Sequence, residues 1–259
     1  MSNIVKVTAA ATVVRQEDLT PINSVQQLAA RVRALQETAI VLTPIQAIDQ
    51  IPDIYQVSTR VVTIDPSVPK ENYSGPEVYH SRLFHGDFDP KTKKPKEVSL
   101  GRVGLNKIMS AAGYSLVLSE RTDDRSDPYY SEFRVTIAGR DYDGTPRQYV
   151  GTAKHDLRNG SEEAQKMTPA QLPAARRKIA ERCETFALER AIRGALGIQH
   201  KYAVADLESK PFIVFKLIPN ANQPEMRQAL LAREAQATQH LFGPGPGDRG
   251  DRRADRGRG

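Results

Sequence analysis

Basic and aromatic side chains alternate over the middle of the chain, in a pattern typical of surfaces that bind single-stranded nucleic acids. Cations follow a phosphate backbone and aromatic rings stack on bases, so the two residue types together suit an unpaired strand. The same stretch carries many Asp and Glu residues, so an ordinary ion-paired surface stays open as the alternative. The candidate DNA-binding residues are Arg134, Arg140, Arg147, Lys154, Arg176, Arg177, Lys178, Arg182, Arg190 and Arg193, together with Tyr130 and Tyr149.

A second group of residues has the chemistry of a metal site. His80, His85, Asp87 and Asp89 lie within ten residues of each other, and all four are side chains that ligate zinc or manganese. Their spacing matches no standard metal motif, and a solvent-exposed end of a strand explains them as well. We therefore predict no metal site and no cofactor, and keep a metal-dependent nuclease or phosphodiesterase as an alternative function.

A third group, the acidic cluster of Asp123, Asp124 and Asp127, invites a two-metal nuclease interpretation. Nucleases of the restriction type need Glu-x-Lys on the following strand, whereas this chain has Glu132-Phe133-Arg134. Arginine stays protonated and cannot replace a lysine that gives up its proton. An Asp-rich turn is the simpler interpretation.

Motifs of other chemistries are missing from the sequence. It contains no GxxxxGK[ST] loop, no HExxH and no GxSxG. The single cysteine, Cys183, excludes an internal disulfide, and its place in an amphipathic helix predicts an inert core thiol. ATP use and catalysis are therefore not expected.

Composition agrees with a slightly basic globular protein. The chain has 259 residues, 39% of them hydrophobic and 26% charged, with a net charge of +6 and a pI of about 9.4. Such a charge permits nucleic-acid binding without requiring it. The sequence has no apolar run near the roughly 18 residues that a membrane helix needs, and we expect a cytosolic protein without a membrane partner.

The elements that position the candidates begin with three successive strands. Residues 115–121, 130–140 and 147–155 have strand composition, and Asp-Pro and Asp-Gly turns separate them. Short connections of this kind predict antiparallel hairpins. On the second strand Phe133, Val135 and Ile137 share one face, which we expect to be buried, and Arg134, Thr136 and Arg140 share the other.

A long helix is predicted next, over residues 174–196, with Gly197 ending it. Ile179, Cys183, Phe186 and Ala187 form its apolar side. Lys178, Arg182, Arg190 and Arg193 fall within an arc of about 120°, which also holds Glu189 and is expected to be exposed. The sequence therefore predicts an α+β fold with a β-β-β-α core, in which an antiparallel sheet of three to five strands is backed by this helix.

Flanking elements complete the prediction. We expect an N-terminal segment over residues 1–76, an α+β core over residues 77–242 and a disordered tail over residues 243–259, whose Gly, Arg, Asp and Pro residues cannot form a core. Predicted helices cover residues 24–38, a stretch from Thr43-Pro44, residues 99–112 (with Leu100, Val103, Ile108, Met109 and Ala112 inward) and residues 224–241; predicted strands cover residues 54–64, 77–84 and 211–217.

The predicted long helix carries a resemblance to a known family. The sequence Leu188-Glu189-Arg190-Ala191-Ile192-Arg193, followed by Leu196-Gly197-Ile198, resembles the end of the core helix in phage single-strand annealing proteins of the RecT/Red-beta/Erf type. The order of elements is similar too: a helix ending at Gly113, three antiparallel strands, then the long helix. The resemblance covers roughly residues 98–198, and nothing before Glu77 matches.

This resemblance implies a function. Proteins of this type coat single-stranded DNA and anneal complementary strands without ATP, in phage-type homologous recombination, and they form rings or filaments. The resemblance implies a protein that acts in the cytoplasm of a bacterial host and that makes and breaks no covalent bond. It also implies a further partner, which is a host single-strand-binding protein or a phage exonuclease. A phage structural or adaptor protein without a nucleic-acid role stays open as another alternative.

Overall fold

A computed structural model of the chain describes residues 20–42, 51–68, 75–81, 85–86, 88–89, 94–141 and 144–242, with side chains up to residue 237. Three expectations lie outside these residues: the helix from Thr43-Pro44, the tail over residues 243–259 and the placement of Asp87. The fold is α+β, as predicted, and its sheets are mainly antiparallel.

The predicted three-stranded unit is present almost at its predicted bounds. Strands β5 (Ser115–Arg121), β6 (Tyr130–Arg140) and β7 (Pro146–Asp156) form one antiparallel sheet in the order β5-β6-β7, which we call the meander. Val135 and Ile137 are fully buried on one face, while Arg134 and Arg140 are exposed on the other. Alternation along β6 therefore predicted correctly which face is buried.

The helix behind the meander begins earlier than predicted and is broken. Helix α4 (Leu172–Arg177) is followed by helix α5 (Ile179–Leu196), and Lys178 between them leaves the helical region at φ −112° and ψ 15°. Leu157, Ala175 and Ile179 form a small apolar cluster beside the break. Gly197 ends α5 in the left-handed conformation, as predicted.

Helix α5 lies very close to the meander at one glycine. A Cβ on Gly151 of β7 would stand 2.0 Å from the Ala187 carbonyl oxygen and 2.6 Å from the Ala191 nitrogen. Because both atoms belong to the helix backbone, no side chain can move away to make room. Cys183, Ala187 and Ala191 are buried along the same contact, so small residues on both elements set the distance between helix and sheet.

The predicted helix over residues 99–112 starts later than expected. Helix α2 covers Arg102–Ala111, with Gly101 as its N-cap, and Gly113 at φ 83° follows it. Ser99, the first residue of the predicted helix, belongs instead to strand β4 (Glu97–Leu100), which pairs with β3 (Val78–Tyr79). Val103 is 53% exposed, so its predicted inward position is wrong.

The first and last parts of the described chain share a sheet. Strand β9 (Phe212–Pro219) lies between β1 (Ile40–Leu42), which is parallel to it, and β2 (Tyr55–Val62), which pairs antiparallel along its whole length. Helix α1 (Val25–Leu35) has Ser24 as its N-cap and packs its Leu28 and Leu35 into the same core as Ile213. Residues before 76 therefore contribute two strands to the sheet built on β9.

Smaller elements complete the described chain. They are α3 (Glu162–Gln165), β8 (Tyr202–Ala203), α6 (Val204–Ser209) and α7 (Pro224–Phe242), and β8 pairs with β4 in a sheet of order β3-β4-β8. Most side chains of α7 up to residue 237 are exposed. Within the described residues, no helix has the length and apolar character needed to cross a membrane.

Candidate nucleic-acid interface

The face of the meander turned away from α5, which we call the outer face, is open to solvent. The cross-strand register places Leu118, Thr136 and Val150 in one row across the three strands. Leu118 is 43% and Val150 58% exposed, while Thr136 between them is almost covered by its neighbours. Leu118 and Val150 therefore give the outer face apolar surface that is open to solvent.

Cations stand on either side of this row. Arg134 and Arg140, two and four residues from Thr136, point to the same face, and Lys154 lies on β7 opposite Glu132. All three cations are exposed. From Arg134 to Arg140 the strand covers about 20 Å at roughly 3.3 Å per residue, so the positive charges flank the apolar row rather than interrupt it.

Two of these cations have a described partner within the chain. Arg140 Nη1 donates to the Gly144 carbonyl oxygen at 2.7 Å, and Arg134 has an acidic partner that holds it weakly. The Arg134 guanidinium lies 3.5 Å from the Glu120 carboxylate, and both side chains are 40% exposed or more. Exposed ion pairs of this kind contribute about 0–1 kcal/mol. A phosphate approaching the outer face could therefore replace Glu120 as the partner of Arg134 at little cost.

The two candidate tyrosines lie on opposite faces of the meander. Tyr130 is on the outer face, donates its hydroxyl to Glu132 Oε2 at 3.2 Å and has the Arg158 guanidinium 5.0 Å from its ring centre. Tyr149 is paired with Ile137 on the helix side and meets the Tyr114 ring edge-to-face at 5.8 Å. Tyr149 therefore packs against the core rather than standing beside Arg134.

Arg147 and Arg176 bind atoms of their own chain. The Arg147 Nε donates to the carboxylate of Asp141, a buried residue, at 2.5 Å. Arg176 donates to the Leu157 carbonyl oxygen at 2.9 Å and lies 4.1 Å from the centre of the Tyr129 ring. These bonds fix the loops at both ends of the meander, which is a structural use of the two cations.

The predicted exposed arc of the long helix is wrong at its C-terminal end. Arg193 is only 8% exposed; its Nη1 donates to the Gln199 carbonyl oxygen and its Nη2 donates to that of Leu100, the latter at 3.0 Å. Arg193 joins α5 to the strand before α2, because backbone carbonyls remote in sequence converge on it. Nothing in the spacing of the helix could signal that convergence.

The other cations of that region are exposed but lie away from the outer face. Arg177, Lys178 and Arg182 are exposed around the α4–α5 break. Arg190 donates to the Thr152 carbonyl oxygen at 2.6 Å, which places it at the edge of β7. Because the meander separates α5 from the outer face, the twelve predicted residues do not form one continuous surface.

Glu189 was expected in the exposed arc and is buried instead, with 7% of its surface exposed. Burial raises its pKa to about 7, and the positive charges of Arg193 and Arg102 lower it in part. Thr185, Glu189 and Arg193 recur at every fourth position of α5 and face the start of α2, where Arg102 donates to the Thr185 hydroxyl at 3.4 Å. A carboxyl in this setting changes its charge near neutral pH.

The histidine pair lies in the interior, so the expectation of a solvent-exposed strand end is wrong. His80 and His85 are 3% and 6% exposed, with their rings stacked at 5.4 Å. His85 Nδ1 accepts from the Ser81 N–H at 2.8 Å, and His85 Nε2 lies 2.8 Å from the Ser99 hydroxyl oxygen. The Ser99 hydroxyl donates its own hydrogen to the His200 carbonyl oxygen. The Nε2 nitrogen of His85 therefore carries the proton and donates a hydrogen bond to the Ser99 oxygen.

This arrangement uses both ring nitrogens of His85 for hydrogen bonds inside the protein. Burial, followed by the charges of His80 and Lys201, lowers the pKa of His85. Among the residues with a described position, no three His, Cys, Asp or Glu side chains group as metal ligands. Here the pair joins β3 to β4 through Ser99.

The acidic cluster after β5 organises a turn. Asp123 Oδ1 accepts from Arg121 Nε at 2.7 Å and from the Glu132 N–H at 2.8 Å, while its other oxygen accepts from the Arg125 N–H. These bonds, led by the one from Arg121, hold the pKa of Asp123 at about 2. The arrangement agrees with the prediction of an Asp-rich turn between β5 and β6.

Comparisons of the chain with known protein families, with curated proteins and with solved structures found no match.

Sequence reasoning missed the apolar part of the outer face. Leu118 and Val150 look like core residues of a strand, and a β-bulge between Leu116 and Leu118 changes which side chains point outward. The residues before the bulge alternate in one register and those after it in the other. A bulge has no clear sequence signal here, so the exposed row could only be found in the structure.

Proposed function

We propose that the chain binds single-stranded DNA on the outer face of the meander and anneals complementary strands without nucleotide hydrolysis. One observation carries this proposal: exposed cations, Arg134, Arg140 and Lys154, flank the exposed apolar side chains of Leu118 and Val150 on the open face of the sheet. Cations neutralise phosphates irrespective of sequence, and the apolar row offers a surface to bases.

Strand annealing requires a protein that binds the phosphate backbone of one strand. A strand must be held by its phosphates while its base edges stay free to pair with a second strand. Arg134, Arg140 and Lys154 act on the backbone, and no covalent bond changes. Because Glu120 competes with a phosphate for Arg134, we expect moderate affinity for DNA, so that the annealed duplex can dissociate.

The resemblance of residues 98–198 to the RecT/Red-beta/Erf type stays a prediction, as do its implications. These are a role in phage-type recombination in a bacterial cytoplasm, a ring or filament, and a host single-strand-binding protein or phage exonuclease as partner. The order of elements agrees with the resemblance alone: α2 ends before Gly113, the meander follows, and α5 ends at Gly197.

The binding test compares two charge-matched double variants. Arg134→Ala with Lys154→Ala removes two cations from the outer face, and Lys178→Ala with Arg182→Ala removes two from the helix side. Fluorescence anisotropy with a labelled oligothymidine, measured over a range of salt concentrations, gives affinity and salt slope. We expect the first pair to weaken binding and to make the log–log salt slope shallower by about 0.7 for each phosphate that the variant no longer neutralises. The second pair should leave both quantities near those of the wild type.

Three results would contradict the proposal. Equal weakening by both pairs would mean a diffuse charge effect, weakening by the helix pair alone would move the site to α5, and no binding at low salt would remove it. Annealing is measured separately by mixing complementary labelled strands in the presence of EDTA. We expect duplex to form faster with protein than without; shortened strands appearing only with a divalent metal would favour a nuclease.

A further inference from the structure

Arg158 lies at one end of the outer face, just after the last residue of β7. Its side chain is 51% exposed. The guanidinium carbon lies over the Tyr130 ring, 5.0 Å from the ring centre, which is within the range of a cation–π contact. Arg158 therefore covers one face of the Tyr130 ring, while half of its own side chain stays open to solvent.

Asp156 holds the Arg158 side chain in one orientation. Arg158 Nε donates to Asp156 Oδ1 at 2.9 Å, and Nη2 donates to Oδ2 at 2.5 Å. The Arg158 backbone N–H also donates to Oδ1, at 3.1 Å. A two-point pair of this kind fixes the plane of a guanidinium. Because Asp156 is opposite Tyr130 across the two strands, the carboxylate and the ring fix the same group from two sides.

The charges around Arg158 are acidic. The hydrogen bonds and the charge of Asp156, and then the charge of Asp127, raise the pKa of Arg158. Asp156 already neutralises the guanidinium, and a phosphate approaching this end of the outer face would be repelled by both carboxylates. The exposed part of Arg158 therefore suits an uncharged planar group better than a phosphate, and unpaired bases stack on guanidinium planes of this kind.

Lys154 supplies a phosphate contact next to this group. It lies two residues before Asp156 on β7 and on the same face, at a distance of about 7 Å along the strand. Hydrogen bonds from Arg158 lower the pKa of Asp156, and the charge of Lys154 adds to that effect. A strand whose phosphate is bound by Lys154 therefore has a base within reach of Arg158.

We infer that Arg158, supported by Tyr130 and Asp156, is a stacking site for an unpaired base of the bound strand. The inference rests on the proposed function, since it names the group of the strand that this end of the outer face contacts. The base stacks on the open side of the guanidinium, and Tyr130 is a positioning residue beneath it. Stacking uses the π-face that every base has, so the site has no sequence preference and leaves the base edge free to pair.

The first test compares two probes that share their phosphates and differ in their bases. They are labelled oligothymidine and a labelled oligomer of abasic tetrahydrofuran units of the same length, and fluorescence anisotropy with the full chain gives both affinities. Arg158→Lys keeps the charge and removes the planar group; Arg33→Lys, at an exposed position in the last turn of α1, is the matched control. We expect Arg158→Lys to weaken oligothymidine binding about fivefold or more, with the abasic affinity and the salt slope unchanged. Arg33→Lys should change none of these quantities.

The second test concerns the support that Tyr130 gives to Arg158. Tyr130→Leu removes the ring and should reduce the preference for oligothymidine over the abasic oligomer. Tyr130→Phe keeps the ring and loses only the hydrogen bond to Glu132, so we expect it to retain the wild-type preference. A purely structural role of Tyr130 would weaken binding of both probes alike. Thermal unfolding checks that every variant folds.

The outcomes separate this inference from the proposed function. No binding of oligothymidine at low salt removes the proposed function, and the stacking site with it. If the wild type and Arg158→Lys bind oligothymidine with the same preference over the abasic oligomer, DNA binding stands and the stacking site is overturned. Equal weakening of both probes by Arg158→Lys would make Arg158 a phosphate contact, which also overturns the inference.

Discussion

Glu189 offers the sharpest prediction of the structure, because its replacement by an uncharged isostere should stabilise the protein. The carboxyl is 7% exposed, and burial raises its pKa to about 7 from an ordinary value of 4.5. Folding therefore favours the protonated form. The stabilisation is complete below pH 4.5 and is lost as the pH rises through 7, where the folded protein releases the proton that the unfolded chain has already lost.

The magnitude follows from the difference between the two pKa values. About two and a half units, at roughly 1.4 kcal/mol for each, give a penalty of about 3 kcal/mol for ionised Glu189 above pH 7. Glu189→Gln keeps the shape and removes this penalty. Arg193 keeps its hydrogen bonds to the Leu100 and Gln199 carbonyl oxygens, so the variant leaves no cation without acceptors.

The assay is urea unfolding followed by far-ultraviolet circular dichroism, at pH values from 4.5 to 8.5. At pH 8.5 we expect the Glu189→Gln variant to exceed the wild type by about 3 kcal/mol in free energy of unfolding, and at pH 4.5 the two should be equal. Glu181→Gln, an exposed position in the first turn of the same helix, is the control and should change little at any pH.

One result would refute this reasoning. If Glu189→Gln lowers the stability at pH 8.5, the attraction between the carboxylate and Arg193 outweighs the cost of burying the charge. Loss of one partner of a buried ion pair typically costs about 3–5 kcal/mol, so the two interpretations differ in the sign of the change in free energy of unfolding. The experiment therefore separates them without ambiguity.

Three further predictions concern the stability of the fold around the meander and the contribution of the C-terminal residues. Gly151→Ala should lower the free energy of unfolding by several kcal/mol, because its Cβ would meet the backbone of α5 at 2.0 Å. The comparison is Gly160→Ala, where a Cβ would contact nothing within 4 Å but φ is 85°, so that this variant gives the cost of backbone strain alone. Equal losses of stability in the two variants would contradict the packing argument. Asp123→Ala should lower the free energy of unfolding by about 2 kcal/mol, because it removes the acceptor of charge-assisted hydrogen bonds. Acidification of the wild type should remove the same contribution only as the pH falls from 3.8 through about 2. Equal stability of variant and wild type at pH 7 would exclude Asp123 as the organiser of the turn. A chain that stops after Phe242 should keep its thermal midpoint, and a large drop would show that residues 243–259 contribute to the fold.

Sequence patterns predicted the meander well because its information is local. Alternating residues along β6 specify the buried face, and the Asp-Pro and Asp-Gly turns specify where each strand ends. The helix behind it follows from its apolar side and from Gly197. These features need no knowledge of distant residues, and the strand bounds differ from the predicted ones by a single residue at each end of β7.

The missed elements depend on distant partners. Strand β1 has three residues and is defined by its parallel pairing with β9, near the other end of the described chain. Strand β4 was mistaken for the start of a helix, since Ser99 is a good N-cap residue. In the structure the Ser99 hydroxyl instead accepts a hydrogen bond from His85 and donates one to the His200 carbonyl oxygen. The sequence around Ser99 does not predict contacts with residues so far away in the chain.

The same distinction decides which predicted cations can serve a ligand. Arg147, Arg176 and Arg193 hold a buried carboxylate or backbone carbonyl oxygens, and a phosphate would have to compete with bonds that also maintain the fold. Among the described residues, the partner of Arg134 is an exposed carboxylate at 3.5 Å, and Lys154 is exposed. A cation can exchange its partner for DNA only where that partner is weakly held. This criterion keeps Arg134 and Lys154 on the outer face and removes Arg193 from the helix side, where Lys178 and Arg182 are exposed as well. The two charge-matched double variants therefore decide between the outer face and the helix side.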